Sequence, residues 1–537
     1  MDSKRRSLIG FEFGAEGGEE FSAINPATGE ALAPMYLSAP PADLDRAAQL
    51  AAQAFSSYSR RTGKQKAAFL REIARGIDSI VDQLVIRTPQ ETALPEPRVR
   101  SEAGRTSMQL RLFADLVEDG SWVSARIDRG DPNRKPLPKP DIRSLWRPIG
   151  PVAVFCASNF PLAFSAAGGD TASAFAAGNP VIVRAHSAHP GTAELVGEVI
   201  RRAVRTCELP EGMFSLLFDA GTQIGTALVQ HPKIKAVGFT GSLRGGRALM
   251  DLAAARPDPI PVFAEMGSTN PVFILPEALK QRGAEIAKGL HGSVTIAAGQ
   301  MCTKPGLIFL PAGPDALALA ENLGDRISQT PAAALLTPQI RSTYESQIKA
   351  RNQQKDAALA AHGESPSPGG GTQVSAALFE TNASYYRARP QLAAEVFGPT
   401  TLLVSCSNRE DLLAVARDLH GHLTATIHGT EEDLREYADL VEIIENKVGR
   451  IIFNGYPTGL EVCHAVVHGG PYPATSDGRS TSVGTQAIYR FSRPICYQAF
   501  PNASLPAELQ DANPLGIWRL VDGNFTRGAA DAAQAAG

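Results

Sequence analysis

Hydrophobic residues along the chain fall into short continuous runs separated by longer helical patterns. The runs "PVAVFCAS" (151–158) and "NPVIVRA" (179–185) are rich in Val, Ile or Ala and are typical of strands buried on both faces. Between them, "FSAAGGDTASAFAAG" (164–178) predicts a helix of small residues. A further strand, "IKAVGFTGS" (234–242), runs into a glycine turn and is followed by a helical pattern in residues 245–255. This alternation predicts a parallel sheet covered by helices on both faces.

A second set of strands and helices begins near residue 270. It opens with the strand "NPVFILP" (270–276), and a helical stretch follows to about Ile296. Its later strands are predicted at "TLLVSC" (401–406), "LTATIHG" (423–429) and "GRIIFNG" (449–455). The two sets predict two α/β domains, with the change from one to the other near residue 265.

Three stretches interrupt this pattern. Residues 129–148 are basic and rich in proline, which predicts an extended arm or a hairpin. The segment "GESPSPGGGTQ" (363–373) predicts a mobile surface loop. The last residues, "RGAADAAQAAG" (527–537), predict a frayed tail.

Composition narrows the class of protein. A chain of 537 residues, 43% of them hydrophobic, is long enough for two or three domains. A net charge of -3 argues against nucleic acid as a partner. The start, "MDSKRRSLIGFEFG", has no long apolar stretch typical of a secretory signal, and no run is long enough to predict a membrane span. The 6 cysteines are scattered without a C-x-x-C pair, so a reduced, cytoplasmic enzyme is expected.

Three short motifs carry candidate catalytic residues. Asn159 lies in "ASNFPL", Glu265 in "FAEMGSTNP" and Cys302 in "GQMCTKP". Each has a structural explanation when taken alone. The asparagine can bond its own backbone in a turn, the glutamate can be a solvated strand end, and the cysteine can be packed in a core.

In this order and combination, the motifs resemble those of the aldehyde dehydrogenase family. That family has an Asn-Phe-Pro turn, a Glu-containing segment and a Gly-Gln-x-Cys loop, and here Glu265 and Cys302 lie 37 residues apart, as in the family. "FTGSLRGG" (239–246) and "EVFGPT" (395–400) match two further family motifs. The resemblance extends over nearly the whole chain. It implies an α/β fold with a Rossmann-type cofactor domain, an α/β catalytic domain and a small oligomerisation arm.

The resemblance also implies domain boundaries and an oligomer. A strand donated to a neighbouring subunit would bury an exposed sheet edge, and a homodimer or a dimer of dimers is expected. The expected parts are a cofactor domain (1–128 and 149–264), a catalytic domain (265–466), oligomerisation segments (129–148 and 467–505) and a C-terminal tail (506–537).

The resemblance implies oxidation of an aldehyde through a covalent intermediate. A thiolate adds to the carbonyl to form a thiohemiacetal, from which hydride can leave, and Cys302 is the expected nucleophile. The Asn159 amide and the backbone N–H of Cys302 are the expected oxyanion donors. Glu265 is the expected general base for hydrolysis of the thioester. Because coenzyme-A-acylating relatives usually lack this carboxylate, a free carboxylic acid is the expected product.

Cofactor residues are also implied by the resemblance. Gly241, Ser242 and Gly246 form a glycine turn at a helix start, where free N–H groups can hold a pyrophosphate. Glu395 is expected to hold the nicotinamide ribose, with Phe397 packed nearby.

The segment "VIVRAHSAHP" (181–190) departs from the family pattern. Many relatives have Lys and Glu where this chain has Arg184 and Ser187. Losing the carboxylate removes repulsion against a 2′-phosphate, and an arginine can bind phosphate bidentately. With His186 close by, the segment predicts NADP as the cofactor, with NAD tolerated. The alternative is a strand end that carries a solvated arginine.

The amino-acid sequence around the motifs is similar to that of the α-ketoglutaric semialdehyde (2,5-dioxovalerate) dehydrogenase branch of the family. Residues 183–192, 264–273 and 453–484 carry this similarity. It implies oxidation of 2,5-dioxovalerate to 2-oxoglutarate, late in the breakdown of sugar acids or hydroxyproline. A cationic group is expected at the distal carboxylate, but the sequence does not identify it. Phe160 and Met301 are expected to line the substrate pocket.

Other interpretations remain open from the sequence. The same mechanism could serve another aliphatic or aromatic aldehyde. A thiol hydrolase using Cys302 and Glu265, or a catalytically retired NADP-binding protein, would also keep these motifs. "CHAVVH" (463–468) has histidine spacing that suggests zinc, but Ala465 replaces the glutamate of H-E-x-x-H. No metal site is therefore expected, and the segment is interpreted as a pocket loop or ordinary packing.

Overall fold

The computed structural model describes residues 4–354 and 357–530. The first three residues of the expected cofactor domain and residues 531–537 of the expected tail lie outside the described residues.

The strands are β1 (Leu8–Ile9), β2 (Glu12–Phe13), β3 (Glu20–Ile24), β4 (Ala31–Leu37), β5 (Arg126–Asp128), β6 (Ile142–Pro148), β7 (Val152–Phe155), β8 (Val181–Arg184), β9 (Phe214–Leu217), β10 (Ala236–Thr240), β11 (Val262–Glu265), β12 (Val272–Ile274), β13 (Leu307–Pro311), β14 (Ala333–Ala334), β15 (Ala358–His362), β16 (Gln373–Val374), β17 (Ala377–Asn382), β18 (Thr400–Cys406), β19 (His422–His428), β20 (Val448–Phe453), β21 (Ser492–Gln498), β22 (Arg519–Val521) and β23 (Asn524–Thr526).

The α-helices are α1 (Pro41–Tyr58), α2 (Gly63–Ser79), α3 (Val81–Thr92), α4 (Glu96–Asp119), α5 (Gly169–Ala177), α6 (Pro190–Thr206), α7 (Gln223–Gln230), α8 (Leu243–Ala254), α9 (Pro276–Thr295), α10 (Pro314–Ser328), α11 (Pro338–Asn352), α12 (Ala383–Arg387), α13 (Arg409–Asp418), α14 (Glu431–Glu436) and α15 (Ala438–Glu445).

The first large sheet has the strand order β11-β10-β7-β8-β9-β1-β2. Strands β11 to β9 are parallel to one another, and β1 and β2 add an antiparallel edge. Every residue of β7 and β9 is buried, which explains their continuous hydrophobic runs. The small residues of α5 are all buried, because a helix of Ala, Gly and Ser can pack closely against its neighbours.

The second large sheet has the order β15-β17-β18-β13-β12-β19-β20. It is parallel except for β15, which pairs antiparallel with β17. A core containing Phe273, Phe309 and Phe379 packs against this sheet. The two sheets confirm the predicted α/β class with parallel sheets and helices.

A third sheet has the order β21-β6-β5-β22-β23. Residues 129–148 form most of the hairpin between β5 and β6, and β6 pairs antiparallel with β21. The expected tail contributes β22 and β23 to this sheet, and the Arg519 side chain is fully buried. The prediction of a frayed tail from residue 527 is wrong for residues 527–530. Ala530 is buried there and donates a backbone hydrogen bond to Asp511.

Two further sequence predictions concern the surface. The segment 363–373 forms a largely exposed connection between β15 and β16. None of the helices in the described residues is both long enough and apolar enough to cross a membrane. The division into domains and oligomerisation segments stays a prediction.

Candidate active site

The predicted catalytic residues lie where the edges of the two large sheets meet. Asn159 follows β7 and Glu265 ends β11, so both lie at the carboxyl edge of the first sheet. Cys302 precedes β13, at the amino edge of the second sheet. The Asn159 Nδ2 donates to the carbonyl of Gln300 over 2.9 Å, which joins the two edges beside the cysteine. Carboxyl edges of parallel sheets are the usual place for ligands.

The loop before Cys302 has an unusual backbone. Ala297, Ala298 and Gly299 have φ angles of 51°, 54° and 67°, in the left-handed region that costs energy for residues other than glycine. At Gly299 a side chain would also collide with the backbone of Gly398. The loop is therefore held in one conformation by its surroundings.

Asn270 ties this loop to the start of β12. Its side-chain amide donates to the carbonyls of Cys302 over 2.8 Å and Lys304 over 3.0 Å. Its Oδ1 accepts hydrogen bonds from Ser268 and Thr424. The main chain on which the cysteine sits is thus fixed by a buried amide whose own bonds are satisfied.

His468 lies between the cysteine and the glutamate. Its Nε2 is 3.6 Å from Cys302 Sγ and 3.0 Å from Glu265 Oε1. Ser482 Oγ donates to Glu265 Oε2 over 2.6 Å and to the His468 carbonyl over 3.1 Å. Sequence reasoning missed the roles of His468 and Ser482. The histidine spacing in "CHAVVH" was a signal, but it pointed to a metal.

Burial and charge set the resting protonation of this group. Burial, the Glu265 charge and its hydrogen bond raise the pKa of the Cys302 thiol well above its ordinary value, and Arg105 opposes this effect. Burial also acts to raise the pKa of Glu265, but contacts with His468, Ser482 and Cys302 outweigh it and leave the pKa below its ordinary value. The resting site therefore holds a carboxylate beside a neutral thiol.

Two donors for a developing oxyanion flank the thiol. The Asn159 amide has a second N–H beyond the one donated to Gln300. The backbone N–H of Cys302 donates to no acceptor within residues 4–354 and 357–530. This arrangement fits the oxyanion role that the family resemblance implied for both groups.

A cavity of about 110 Å³ opens beside Cys302. Phe160 and Met301, the two residues expected in the substrate pocket, are part of its wall, together with His468. Two arginines from α4, Arg98 and Arg105, were not anticipated and also line it.

The glycine turn expected at the pyrophosphate leads into α8. Ser242 caps this helix by accepting a hydrogen bond from the Gly245 N–H over 3.2 Å, and the Gly241 N–H donates to the carbonyl of Glu265 over 3.0 Å. Gly241 and Ser242 are exposed. At Gly246 a side chain would collide with Met266, so glycine is needed for close packing of helix and strand. An open helix start next to Glu265 fits a dinucleotide phosphate.

Glu395 is half-buried and lies beside the buried Lys304. Burial raises the pKa of Glu395 to about 7, and burial lowers the pKa of Lys304 to about 7. The Lys304 ammonium donates to the carbonyls of Val396 and Thr400. A side chain at Gly267 would collide with the Glu395 carboxylate, so this carboxylate lies next to the strand end that carries Glu265. Phe397 is half-buried two residues further on. These positions fit the ribose role expected for Glu395, and Lys304 was not anticipated.

Arg184, at the end of β8, is already partnered by the protein. Its guanidinium donates to the carbonyls of Gly221 over 2.5 Å and Asp219 over 3.2 Å, and its Nε lies 3.5 Å from the Asp219 carboxylate. The predicted alternative of a solvated arginine is wrong, because this side chain is only 14% exposed. His186 stacks on His189, and Ser187 is half-buried nearby.

The residues that could hold a metal ion in the structure differ from the histidine pair of "CHAVVH" considered in the sequence. His464 contacts the Thr485 hydroxyl at 3.2 Å and does not join His468. Instead, Glu265, Cys302 and His468 each offer one ligand atom, and these atoms lie within 4.8 Å of one another. An ion held there would occupy the thiol, so this set competes with nucleophilic chemistry.

Comparison with known sequences gives a consistent result. Residues 13–483 match the model of the aldehyde dehydrogenase family. The chain is 47% identical over 517 residues to alpha-ketoglutaric semialdehyde dehydrogenase 2 of Azospirillum brasilense, a match that covers 96% of this chain and 98% of the relative. It is 46% identical over 486 residues to alpha-ketoglutaric semialdehyde dehydrogenase of Acinetobacter baylyi, covering 90% of this chain and 92% of that relative.

Solved structures support the same fold. A mutant of aldehyde dehydrogenase C from Pseudomonas syringae, in complex with NAD+ and octanal, matches with a TM-score of 0.79 at 21% identity, over 93% of this chain and 98% of that chain. A point mutant of betaine aldehyde dehydrogenase from Staphylococcus aureus, in complex with NAD+, matches with a TM-score of 0.79 at 20% identity, over the same shares. At these identities the likeness shows the fold alone. With most of its length matched by the family model, and with two relatives at 46% identity or more over nearly all of it, the chain is a member of the aldehyde dehydrogenase family.

Proposed function

We propose that the protein oxidises α-ketoglutaric semialdehyde (2,5-dioxovalerate) to 2-oxoglutarate with a nicotinamide cofactor. The observation that carries this proposal is the convergence of Cys302, Glu265 and Asn159 beside one small cavity whose wall contains arginine. The named activity of the two relatives, both similar over at least 90% of this chain, supports the choice of substrate.

The first step joins the thiol to the aldehyde. The Cys302 thiol gives its proton to His468 Nε2, which lies 3.6 Å from the sulfur and 3.0 Å from Glu265 Oε1, so Glu265 remains a carboxylate. A sulfur electron pair forms a C–S bond with the aldehyde carbon, and the C=O π electrons move to oxygen. The Asn159 amide and the Cys302 backbone N–H stabilise that oxyanion. Loss of one such donor typically costs about 10²–10³ in kcat.

The second step oxidises the bound carbon. A nicotinamide, when bound, supplies the acceptor for a hydride. As the hydride leaves, the oxygen electron pair re-forms the carbonyl, and a thioester remains on Cys302. The exposed start of α8, with Ser242 at its cap, and the Glu395 carboxylate are the groups of this chain that would hold the cofactor.

The third step releases the acid. The Glu265 carboxylate accepts a proton from water as the water oxygen adds to the thioester carbonyl. The C=O π electrons move to oxygen during this addition and re-form the carbonyl as the C–S bond breaks. The C–S electron pair returns to sulfur, which recovers its proton from His468. Ser482 and His468 orient the carboxylate for this task. A carboxylate kept charged by its neighbours at neutral pH is suited to act as the base.

We also propose NADP as the preferred cofactor. Ser187 removes a carboxylate that would repel a 2′-phosphate, and Arg184 supplies a guanidinium at the end of β8. The phosphate would have to share this guanidinium with Asp219 and Gly221. NAD is therefore expected to be accepted as well.

We further propose a cytoplasmic homodimer or dimer of dimers. Strands β20 and β21 are the outermost strands of their sheets, and Ile451 and Phe453 of β20 are exposed. A strand supplied by a second copy would cover this apolar edge. Light scattering of the purified protein tests the proposal: a monomer at micromolar concentration would contradict it.

The test of the proposed activity is a substrate panel followed at 340 nm with NADP and with NAD. The panel contains 2,5-dioxovalerate, succinic semialdehyde, glutaraldehyde, hexanal and benzaldehyde. We expect the highest kcat/KM for 2,5-dioxovalerate, a larger value with NADP, and one 2-oxoglutarate formed for each cofactor reduced. Preference for hexanal or benzaldehyde would retain the mechanism and reject the substrate. Turnover without cofactor would favour the hydrolase alternative.

A further inference from the structure

Two arginines on one face of α4 contribute to the wall of the active-site cavity. Arg98 and Arg105 are seven residues apart, which is about two helical turns, so their side chains point the same way. Both line the cavity that contains Cys302. None of the family motifs found in the sequence includes them.

The guanidinium of Arg105 has no acceptor within the described part of the chain. Its Nε and Nη2 are buried without a hydrogen-bond partner. Its charge rests over two aromatic rings, 5.7 Å from the centre of Phe160 and 5.4 Å from the centre of Phe164. Leaving buried charged donors unsatisfied is costly, and such groups in a cavity mark places where a ligand completes the bonds.

Arg98 also has a buried Nε and Nη2 without a hydrogen-bond partner among the described residues, but unlike Arg105 it lies in an ion pair. It stacks over the Phe160 ring at 4.6 Å, and its Nε lies 3.5 Å from the Glu102 carboxylate. The other oxygen of that carboxylate accepts the backbone N–H groups of Leu162 and Ala163, both over 2.9 Å. Glu102 is therefore committed to the turn that carries Asn159.

Arg105 shares its nearest carboxylate with Arg98. Glu102 acts on both guanidinium groups, whereas Glu265 acts on Arg105 more weakly and is held by His468 and Ser482. The guanidinium of arginine stays protonated even where burial lowers its pKa, as at Arg105. Arg105 is also near the nucleophile. Its charge opposes the larger effects of burial and Glu265 that raise the pKa of the Cys302 thiol. The Arg105 guanidinium therefore lies within reach of a short aldehyde bound at the Cys302 sulfur.

We propose that Arg105, supported by Arg98, binds the carboxylate of the 2-oxo acid end of the aldehyde substrate. This inference rests on the proposed oxidation of a carboxylated aldehyde. A substrate carboxylate would supply the acceptor that the buried Arg105 donors lack, and the fork of a guanidinium binds it bidentately. Phe160 and Phe164 hold the guanidinium planes in place, so little side-chain freedom is lost on binding.

The test compares a charged and a neutral aldehyde of equal carbon number in the Arg105→Gln variant. We expect kcat/KM for 2,5-dioxovalerate to fall by about 10²–10³, mainly through KM, because the variant loses the charged partner of a buried anion. With pentanal, kcat/KM should fall at least about tenfold less, because only the effect of the Arg105 charge on the Cys302 thiol is lost. Equal losses with both substrates, or no loss with either, would overturn the proposal.

Matched variants separate binding from folding. Arg111→Gln, on the same helix but exposed and paired with Asp78, should leave both substrates unaffected. Arg105→Lys keeps the charge and should recover part of the lost activity toward 2,5-dioxovalerate. If Arg105→Gln does not fold, the proposal is tested by inhibiting the native enzyme with a charged and a neutral compound. Glutarate should then compete with 2,5-dioxovalerate far better than pentanol does, and equal inhibition would overturn the proposal.

The native enzyme distinguishes this inference from the proposed function. If it prefers a different carboxylated aldehyde, such as succinic semialdehyde, and Arg105→Gln loses that preference, the arginine site stands and the substrate assignment fails. If it prefers 2,5-dioxovalerate and the variant keeps the preference, the proposed function stands and the arginine site fails.

Discussion

One arginine is proposed to act on the aldehyde side of Cys302 and one on the cofactor side, and these two arginines have different partners within the protein. On the cofactor side, Arg184 is bonded to Gly221 and Asp219. On the aldehyde side, Arg105 has no acceptor among the described residues. A guanidinium without partners is ready for an anion, whereas a partnered one must exchange or share its bonds. Discrimination is therefore expected to be stronger for the carboxylate of the aldehyde than for the 2′-phosphate of the cofactor.

The largest effect should come from removing the nucleophile, because this change should abolish reaction with the aldehyde and leave cofactor binding intact. In Cys302→Ala we expect kcat to fall by at least about 10⁴, since no other group can form the thioester. Binding of NADP, followed by protein fluorescence, should remain within a few-fold of the native value. Residual turnover near the native rate would remove Cys302 from the mechanism.

Replacement of the base should block only the last step. We expect Glu265→Gln to lower kcat by about 10²–10⁴ while retaining a rapid burst of reduced cofactor, because hydride transfer precedes hydrolysis. Stopped-flow absorbance at 340 nm measures the burst, and mass spectrometry detects the acyl group on Cys302. Absence of both the burst and the acyl group would place Glu265 in an earlier step.

Replacement of the arginine proposed to bind the cofactor should have a smaller effect on catalysis. Arg184→Ala should reduce kcat/KM with NADP about tenfold more than with NAD, since one shared ion pair to phosphate is lost. The exposed Arg202 provides a matched control, and Arg202→Ala should leave the ratio unchanged. Equal losses with both cofactors would mean that Arg184 supports the fold and does not select the phosphate.

The smallest effect should be a pH dependence of cofactor binding. Burial raises the pKa of Glu395 to about 7, so this group is protonated below that pH and charged above it. The carboxylate can accept hydrogen bonds from both ribose hydroxyls, whereas the protonated acid has fewer acceptor sites and binds them more weakly. The KM for NADP should therefore rise about fivefold as pH falls from about 8 to about 6. Glu395→Gln should remove the dependence. A native KM that is flat across this range would contradict the assigned role.

Local patterns in the sequence were sufficient for the fold class and for the motif residues. The buried runs at β7 and β8 predicted parallel strands, because such strands are covered on both faces. The residues missed by sequence reasoning act across long separations. His468 meets Cys302 across 166 residues, and Ser482 meets Glu265 across 217. Ser482 has no local signal, and the histidine spacing at His468 suggested a metal, since partners of this kind are determined by how the two sheets meet.

The arginines show the same limit. Arg105 lies on a helix with many charged positions, where a cation is normally interpreted as solvated. Only the packing of α4 against Phe160 and Phe164 turns it toward the cavity. The solvated alternative considered for Arg184 was also wrong, because Asp219 lies on the next loop, 35 residues further along. Sequence gives the charge of these residues, while the fold decides what they face.

The most direct test of the central claim is a competition in one vessel. Native enzyme and NADP are given equal concentrations of 2,5-dioxovalerate and pentanal, and the two acids are quantified by mass spectrometry. Their ratio measures the difference in transition-state binding for the two aldehydes. The account predicts that 2-oxoglutarate exceeds pentanoate by about 10² or more. A ratio near one, or an excess of pentanoate, would contradict the claim that this site is built for a carboxylated aldehyde.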